Sequence, residues 1–255
     1  MKIASVQINS VWENLEQNLT LAQSYTEHAH ENNCDLIVLP EMFNSGFSMN
    51  ISKTAEEPFG QTYQFLCNLA LKNNISIIAG ITELSNTINK AVNVALVINK
   101  QGKLITSYTK NYSFNLANEG QYFQQGNKQV VFDLEGLKSS IFICYDLRFP
   151  EIFRAVSNQV HVIYVIANWP ESRQRHWNIL LQARAIENQC FIVAVNRTGS
   201  DDNGLNYIGG SQIINPMGEV LSIGDFNQDC IFYDLDASVV NKIRMDLPFL
   251  KDMKN

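Results

Sequence analysis

Residues 139–151 read SSIFICYDLRFPE, and this stretch decides the fold. Mostly apolar, β-prone residues lead directly into Cys144, after which the polarity of the sequence changes abruptly. Pro150 stands at the first turn of the segment that follows, where a helix does not need its missing N–H. The stretch therefore predicts a buried strand that ends in Cys144 and is followed by a helix, as in a sheet covered by helices. Ligands bind at such strand ends in open α/β sheets, so Cys144 is a candidate nucleophile.

The composition of the chain is that of a globular protein. It has 255 residues, of which 45% are hydrophobic and 17% are charged, and its formal net charge is −6. We expect one domain spanning residues 1–255, because no Pro-, Gly- or Ser-rich linker and no charge run divides the sequence. The negative charge argues against nucleic-acid binding, since no basic stripe is available to neutralise phosphates. It still allows an anionic small substrate, which needs only one well-placed arginine.

The cysteines and the first residues of the sequence indicate in which cellular compartment the protein is expected. Five cysteines lie far apart and include no CxxC pair, a pattern typical of a reducing compartment. The sequence opens directly on a strand pattern at residues 3–9, so no leader is predicted, and no apolar run reaches the roughly 20 residues of a membrane span. We therefore expect a cytoplasmic protein that does not associate with membranes. No HExxH, CxxC or GxxxxGK[ST] motif occurs, and we expect neither a metal nor a cofactor.

Strand and helix patterns follow one another along the whole chain. Helical spacing of apolar residues predicts helices at residues 14–31, 63–73, 151–156, 175–188 and 237–244. The two pairs 92–98/104–109 and 211–214/219–223 are typical of hairpins. Together these patterns predict mixed sheets covered by helices. The strands are predicted at residues 3–9, 36–39, 76–81, 92–98, 104–109, 130–133, 139–143, 162–166, 190–196, 211–214, 219–223 and 230–234.

Three reactive side chains each follow an apolar or β-prone segment. Glu41 follows LIVLP, Lys110 follows ITSYT, and Cys144 follows SIFI. If the three strands run side by side, the three side chains converge at one edge of a sheet. A carboxylate, an ammonium and a thiol can then perform acyl transfer together. The base takes the thiol proton, the cation stabilises the developing oxyanion, and a thioester forms that water hydrolyses.

These segments resemble the motifs of the nitrilase-like carbon–nitrogen hydrolases, in order and over essentially the whole chain. LPEMF at residues 39–43 is similar to the glutamate motif, YTK at 108–110 to the lysine motif, and ICYDLRFPE at 143–151 to the cysteine motif. Each fragment alone is weak evidence, but the ordered set is specific. Further matching segments are ANWP at 167–170, HW at 176–177, ARAIENQ at 183–189 and NPMGE at 215–219.

Within this family the chain is most similar to the ω-amidases, which remove ammonia from ω-amides of 2-oxo acids such as 2-oxoglutaramate or 2-oxosuccinamate. The resemblance rests on NWP at residues 168–170, Arg173, HW at 176–177 and LANE at 116–119. It implies a small-molecule amide as substrate, with water as the second substrate.

The resemblance also implies a fold and a set of roles. The fold is an α/β four-layer α-β-β-α sandwich, usually a homodimer formed through the face near the cysteine motif and the helices that follow. Glu41 is the general base, Lys110 is the oxyanion donor and Cys144 is the nucleophile. Glu119 resembles a second glutamate that orients Lys110 or the substrate. The backbone N–H of Tyr145 completes the oxyanion hole.

Several side chains are candidates for substrate binding. Arg173 lies in a polar loop that follows an apolar strand, and the carboxylate of a 2-oxo acid needs a cation such as its guanidinium. Phe43, Phe47, Trp169 and His176 are expected to line the pocket. These assignments predict an anionic substrate held next to the thiol.

One position departs from the family pattern. Relatives commonly carry K-x-H-L-F after the lysine, whereas residues 110–114 read KNYSF, so that Tyr112 replaces the usual histidine. The lysine itself is retained. We therefore expect the chemistry to be kept and the local hydrogen bonding and pocket lining to differ.

The charges predict how the thiol is activated. Two glutamates beside Cys144 disfavour a thiolate, whereas Lys110 favours it and pairs with the carboxylates. We expect a neutral thiol in the resting site, whose proton moves to Glu41 as attack occurs.

Other functions remain compatible with the sequence. Within the family, the substrate could be deaminated glutathione, an N-carbamoyl compound or a nitrile. A different class is a Cys–His hydrolase that uses His161 or His176. A third is a non-catalytic, nitrilase-like binding module, against which the intact Glu41, Lys110 and Cys144 argue.

Overall fold

The structure, a computed structural model, describes residues 1–226 and 229–253. Within these residues, fourteen strands form two six-stranded sheets and one two-stranded ribbon. The strands are β1 (Lys2–Val6), β2 (Leu36–Val38), β3 (Ser76–Leu84), β4 (Ala91–Ile98), β5 (Leu104–Thr109), β6 (Phe132–Leu134), β7 (Leu137–Ile143), β8 (Val162–Ala167), β9 (Phe191–Asn196), β10 (Thr198–Ser200), β11 (Asn206–Ile208), β12 (Gln212–Ile214), β13 (Val220–Ile223) and β14 (Cys230–Asp234).

Five α-helices of the described residues lie near the predicted places, and two one-turn helices, Ile51–Thr54 and Glu119–Tyr122, were not predicted. A 3₁₀ turn, Cys144–Arg148, follows β7 directly and shapes the site described below. Asn14 caps the first helix by accepting a hydrogen bond from the backbone N–H of Gln17. The α-helices of the described residues are α1 (Leu15–Glu31), α2 (Ile51–Thr54), α3 (Gln61–Asn73), α4 (Glu119–Tyr122), α5 (Pro150–Arg154), α6 (Gln174–Asn188) and α7 (Ala237–Asp246).

Both large sheets are mixed, as predicted. The first sheet has the strand order β14-β1-β2-β3-β4-β5, and the second has the order β13-β12-β9-β8-β7-β6. β1, β2 and β3 are parallel in the first sheet, as are β7, β8 and β9 in the second, and the outer strands are antiparallel. Parallel strands end at the same edge of a sheet, so Cys144 leaves the second sheet beside the ends of β8 and β9.

The two sheets pack face to face, with helices on their outer faces. Leu36 and Val38 of β2 point towards the second sheet, whereas Ile37 between them packs in a separate core with α1 and α3. On the far side of the second sheet, Phe153 of α5 and Trp177 of α6 are fully buried in the same core as its strands. The result is the predicted four-layer α-β-β-α sandwich.

Two further features differ from the prediction. The strands that precede Glu41, Lys110 and Cys144 do not run side by side: β2 and β5 belong to the first sheet, where β3 and β4 separate them, and β7 belongs to the second. The ribbon β10–β11 was not predicted, because its strands are only three residues long and the segment between them, DDNGL, carries no apolar alternation.

Residues 1–226 and 229–253 include no helix with both the length and the apolar character that crossing a membrane requires.

Candidate active site

Glu41 is carried by the extension of β2. After Val38 the chain continues beside β3, with the N–H of Leu39 donating to the carbonyl of Ile78 at 2.8 Å. The backbone of Glu41 then passes so close to Gly80 that a Cβ at position 80 would lie 2.6 Å from the Glu41 Cα. Only glycine allows this approach. The carboxylate that results is fully buried between the two sheets.

Cys144 occupies a sharp turn at the end of β7. Its φ is +47°, an uncommon conformation for a residue with a side chain. The turn begins the 3₁₀ segment Cys144–Arg148 and leaves the residue 9% exposed. The thiol Sγ lies 3.7 Å from the carbonyl oxygen of Asn168, which follows the neighbouring strand β8. Strained backbone of this kind persists where the surroundings fix it and is typical of functional positions.

Lys110 reaches the same place from β5. Its backbone N–H donates to the carbonyl of Asn93 on β4 at 2.9 Å, which extends the sheet pairing by one residue. The ammonium Nζ lies 2.8 Å from Glu41 Oε1 and 2.9 and 3.0 Å from the two oxygens of Glu119. Glu119 begins the short helix α4, and its Oε2 also accepts the N–H of Phe114 at 2.6 Å. The structure therefore brings the predicted residues together from two sheets and one short helix.

Two asparagines complete this cluster. The side-chain amide of Asn93 donates to Glu41 Oε1 at 2.7 Å and to Glu119 Oε1 at 3.2 Å. The backbone N–H of Asn168 donates to Glu41 Oε2 at 2.8 Å, and its side chain donates to the Glu41 carbonyl at 2.7 Å. Asn168 belongs to the ANWP segment of the family pattern, but Asn93 was missed. The available signal was a single asparagine inside the apolar run Ala91–Ile98.

The cluster carries one net negative charge when the thiol is neutral, since Lys110 faces two glutamates. Burial alone would lower the pKa of Lys110, but attraction to Glu119 and Glu41 outweighs it and raises that pKa above its ordinary value. Burial and the charge of Glu41 raise the pKa of the Cys144 thiol well above its ordinary value, against the opposite effect of Lys110. A site of this kind holds a protonated thiol next to a carboxylate.

A cavity of about 220 Å³ opens above Cys144. Its walls are mostly apolar, and its two charged side chains, Arg148 and Arg173, are both cationic. The ring of Tyr145 also faces it, with its centroid 5.1 Å from that of Phe114. The cavity suits a small molecule with a negatively charged group. The lining residues are Phe47, Met49, Phe114, Ala117, Cys144, Tyr145, Arg148, Asn168, Trp169, Pro170, Arg173, Asn203, Leu205 and Tyr207.

Two of the predicted pocket residues lie elsewhere. Phe43 is fully buried in the core beneath α1 and α3, because the chain turns at Met42, whose φ is +45°, and directs the next side chain away from the second sheet. His176 is exposed on α6, and its Nδ1 lies 3.3 Å from the guanidinium of Arg148. Trp169 and Arg173 do line the cavity, as does Phe47.

The two arginines of the cavity are held by aromatic rings. The guanidinium of Arg148 lies 4.7 Å from the ring centroid of Trp169, and that of Arg173 lies 5.1 Å from that of Phe114. Among the ion pairs of the described residues, neither arginine takes part. Both charges are therefore available to an anion from outside.

Tyr112, which replaces the usual histidine, lies just outside the cavity. Its ring stacks on Phe149 at a centroid distance of 3.6 Å, and its hydroxyl donates to Glu151 at 3.2 Å. The residue therefore joins the loop after Lys110 to the start of α5. The substitution changes this outer contact and leaves the bonds of Lys110 intact.

The histidines do not form a base for Cys144. His161 precedes β8 and accepts from the N–H of Lys138 at 3.3 Å, so it lies at the opposite end of the second sheet from Cys144. The His176 ring contacts Arg148 instead. In the part of the chain that the structure describes, no group of three or more His, Cys, Asp or Glu side chains could hold a metal ion.

Comparison with known proteins agrees with this geometry. The family model described as carbon-nitrogen hydrolase matches residues 2–245. The 2-oxoglutaramate amidase of Bacillus subtilis (strain 168) is 32% identical, over 99% of this chain and 97% of the relative. The omega-amidase YafV of Escherichia coli (strain K12) is 37% identical, over 86% of this chain and 84% of the relative.

A solved structure is similar over the whole chain. It is that of XC1258 from Xanthomonas campestris, a CN-hydrolase superfamily protein with an arsenic adduct in its active site. The TM-score is 0.94 at 29% sequence identity, over 100% of this chain and 97% of the other. The prediction of an amide-hydrolysing enzyme with this fold is thereby confirmed, and the chain belongs to the carbon–nitrogen hydrolase family.

Proposed function

We propose that the protein is an ω-amidase that hydrolyses the terminal amide of a small 2-oxo acid, such as 2-oxoglutaramate or 2-oxosuccinamate, to the carboxylic acid and ammonia. One observation carries the proposal. The Nζ of Lys110 is held between Glu41 and Glu119 next to the buried thiol, beneath a small cavity whose two charged side chains are arginines. The names of the amidase relatives point to the same substrate class.

In the first half of the reaction, Cys144 Sγ attacks the amide carbon while its proton passes to Glu41. A C–S bond forms, and the carbonyl oxygen becomes an oxyanion that the ammonium of Lys110 and the backbone N–H of Tyr145 stabilise. Glu41 then returns the proton to the amide nitrogen, the C–N bond breaks and ammonia leaves. The acyl group remains on Cys144 as a thioester.

In the second half, water takes the place of ammonia. Glu41 accepts a proton from the water as its oxygen attacks the thioester carbon, and the same two donors stabilise the second oxyanion. The C–S bond breaks, the thiolate regains the proton from Glu41, and the carboxylic acid is released. Glu119 keeps Lys110 in place throughout, because it accepts two of the hydrogen bonds that the ammonium donates.

The walls of the cavity support an anionic substrate. Arg173 binds the carboxylate in this proposal, and Arg148, held against Trp169 at the same cavity, adds a second positive charge. The apolar rings around them pack against the short carbon chain. A neutral amide lacks the group that these cations bind, which favours 2-oxo acid amides over simple ones.

The remaining expectations stay proposals. We propose that residues 1–255 form one domain, which the core shared by both sheets supports. A homodimer is supported by exposed apolar side chains on α6 and the β12–β13 hairpin, among them Ile179, Ile186 and Met217. A cytoplasmic location is supported by five unpaired cysteines. The expectation that neither nucleic acid nor a membrane is a partner also stays a prediction.

The experiment that tests the function is ammonia release from 2-oxoglutaramate by the purified protein. Succinamate, glutamine, an N-carbamoyl amino acid, deaminated glutathione and simple nitriles are run beside it. We expect 2-oxoglutaramate to be the preferred substrate, the Cys144→Ala variant to be inactive and the Cys67→Ala variant to match the parent. A preference for one of the other compounds would reassign the substrate. If a folded protein hydrolysed none of these compounds, a binding module would be favoured. Covalent labelling of Cys144, detected by intact-protein mass spectrometry, would then establish whether the thiol reacts.

A further inference from the structure

Asp146 is a fully buried carboxylate that the reaction described above does not use. It lies in the 3₁₀ turn after β7, two residues beyond Cys144. Burial raises its pKa to about 7, although the hydrogen bonds that it accepts and the charge of Lys110 act in the opposite direction. A carboxylate in such a place is costly unless its oxygens have partners, so its partners indicate what it does.

The partners of Asp146 lie on both sides of the two reactive residues. One oxygen, Oδ2, accepts the N–H of Ile143 at 3.0 Å and the hydroxyl of Tyr108 at 2.8 Å. The other oxygen, Oδ1, accepts the N–H of Tyr112 at 2.9 Å. Ile143 directly precedes Cys144, and Tyr108 and Tyr112 stand two residues before and two residues after Lys110.

This arrangement bridges the two sheets. Tyr108 belongs to β5 of the first sheet, and Ile143 is the last residue of β7 in the second. No strand pairing connects β5 to β7, so their spacing is free to vary unless side chains fix it. The three hydrogen bonds of the Asp146 carboxylate fix the spacing of β5 and β7 at the point where both strands reach the site.

We propose that Asp146 is a positioning residue that sets the distance and orientation of Cys144 relative to Lys110. It holds the Tyr108 side chain before the lysine, the Tyr112 backbone after the lysine and the Ile143 backbone immediately before the cysteine. It thereby places the thiol where the oxyanion forms within reach of the ammonium. This inference rests on the proposed roles of Lys110 and Cys144. It adds that their alignment depends on one shared carboxylate.

The test is the Asp146→Asn variant, which keeps the shape but replaces one acceptor by a donor. Either orientation of the amide leaves the N–H of Ile143 or of Tyr112 facing another N–H, so one of the two anchors is lost. We expect kcat for 2-oxoglutaramate to fall about 10- to 100-fold and KM to stay within about twofold, because the cavity walls are unchanged. A kcat within twofold of the parent would overturn the proposal.

A second variant covers the case in which Asp146→Asn does not fold. Tyr108→Phe removes only the hydroxyl that binds Asp146, and we expect kcat to fall about three- to tenfold with KM unchanged. In the Asp146→Asn background the same change should add less than twofold, because both variants act through one contact. The buried Tyr164→Phe on β8 is the control and should change neither constant. A Tyr108→Phe enzyme with the parent kcat would also contradict the proposal.

A matched pair elsewhere separates positioning from binding. Asp201 also accepts a tyrosine hydroxyl, that of Tyr207 at 2.8 Å, and a backbone N–H, that of Leu205 at 2.9 Å, but both of these residues line the cavity. We expect Asp201→Asn to raise KM and to change kcat less than Asp146→Asn does. A loss of kcat in Asp201→Asn as large as that in Asp146→Asn would show that the effect does not depend on the bridge between β5 and β7, and would overturn the assignment.

A second assay tests the role of Asp146 even if the proposed amidase function is wrong. If the parent protein hydrolyses no amide, the rate of Cys144 alkylation by acrylamide is compared instead. We expect the Asp146→Asn protein to react at least threefold more slowly than the parent and Tyr164→Phe to react equally fast, since the thiol has moved relative to Glu41 and Lys110. Equal rates in all three proteins would overturn the role of Asp146 without any reference to substrate.

Discussion

The floor and the walls of the cavity are built in different ways. The floor consists of Glu41, Lys110, Glu119 and Cys144, all buried, and three of them follow strands of the two sheets. The walls come mostly from segments between the long strands, namely residues 47–49, 114–117, 145–148, 168–173 and 203–207. On the floor every charged group has fixed partners at 2.6–3.2 Å. The two arginines of the walls face the cavity and form no ion pair with a carboxylate of residues 1–226 or 229–253.

The difference indicates that the two parts have separate tasks. A rigid, paired cluster holds atoms where the chemistry needs them, and loops carry the groups that recognise a particular molecule. Changes on the floor should therefore lower kcat for every substrate. Changes in the walls should alter KM and depend on the charge of the substrate.

The largest effect should come from Glu41→Gln, which removes the proposed general base from the floor. The amide cannot take the proton of Cys144, and we expect kcat to fall about 10⁴-fold with KM little changed. Ammonia release at saturating substrate measures this. Glu135→Gln, which removes a carboxylate paired with Lys100 far from the site, is the control. A loss below about 100-fold would assign the base to another group.

Glu119→Gln should have the next largest effect. Lys110 keeps Glu41 as its partner, but two of its three hydrogen bonds to carboxylate oxygens are weakened, so the ammonium is less well placed for the oxyanion. We expect kcat to fall about 100-fold, for anionic and neutral amides alike. Steady-state kinetics on one substrate of each kind would reveal it. A loss confined to anionic amides would move Glu119 from the floor to substrate recognition.

The pH dependence of Cys144 alkylation tests the protonation state of the floor. Because the pKa of this thiol is raised, it is neutral at pH 7, and the thiolate fraction grows as the pH rises. We expect the rate with iodoacetamide to increase about 100-fold between pH 7 and pH 9, with no plateau. The Cys144→Ala protein supplies the background from the other four cysteines. A plateau below pH 7 would indicate a preformed thiolate and contradict this account.

A change in the walls should be smaller and selective. Removing the guanidinium in Arg173→Ala should raise KM for 2-oxoglutaramate about tenfold, because a charge-assisted hydrogen bond is lost, and leave a neutral amide within about twofold. Arg175→Ala is the matched control, since Arg175 is an exposed neighbour that does not line the cavity. An equal rise in KM for both substrates would contradict the assignment of Arg173 to carboxylate binding.

The smallest effect should follow replacement of both histidines that were considered as bases. In the double variant His161→Asn/His176→Asn, we expect kcat to stay within about threefold of the parent, because neither ring contacts Cys144. KM for an anionic amide should rise slightly, since Arg148 loses its contact with His176. If kcat instead fell by about 100-fold or more, the result would support a Cys–His mechanism.

Much of the floor could be predicted from the sequence, because Glu41, Lys110 and Cys144 each follow a short apolar or β-prone run. Such runs mark buried strands, and a reactive residue at the end of one is visible without knowledge of the fold. The pairing of strands is a long-range property that local patterns do not contain. For this reason the sequence predicted one shared edge, whereas the structure has Glu41 and Lys110 on one sheet and Cys144 on the other.

The walls were harder to predict. Phe43 and Phe47 are both aromatic residues shortly after Glu41, and only the turn at Met42 directs the first into the core while the second reaches the cavity. Tyr207 belongs to a ribbon too short for a periodic signal, and Leu205 directly precedes the second strand of that ribbon. Loops take their conformation from the surfaces that they cross, and those surfaces are absent from a linear pattern.

The negative charge of the floor has a consequence for the end of the reaction. Hydrolysis converts a neutral amide group into an acid at the place where two glutamates outweigh one lysine. Once that acid ionises, the net negative charge of Glu41, Lys110 and Glu119 repels its carboxylate, whereas the neutral amide group of the substrate is not repelled. The enzyme should therefore hold its product more weakly than its substrate, and turnover should continue in the presence of accumulated dicarboxylate.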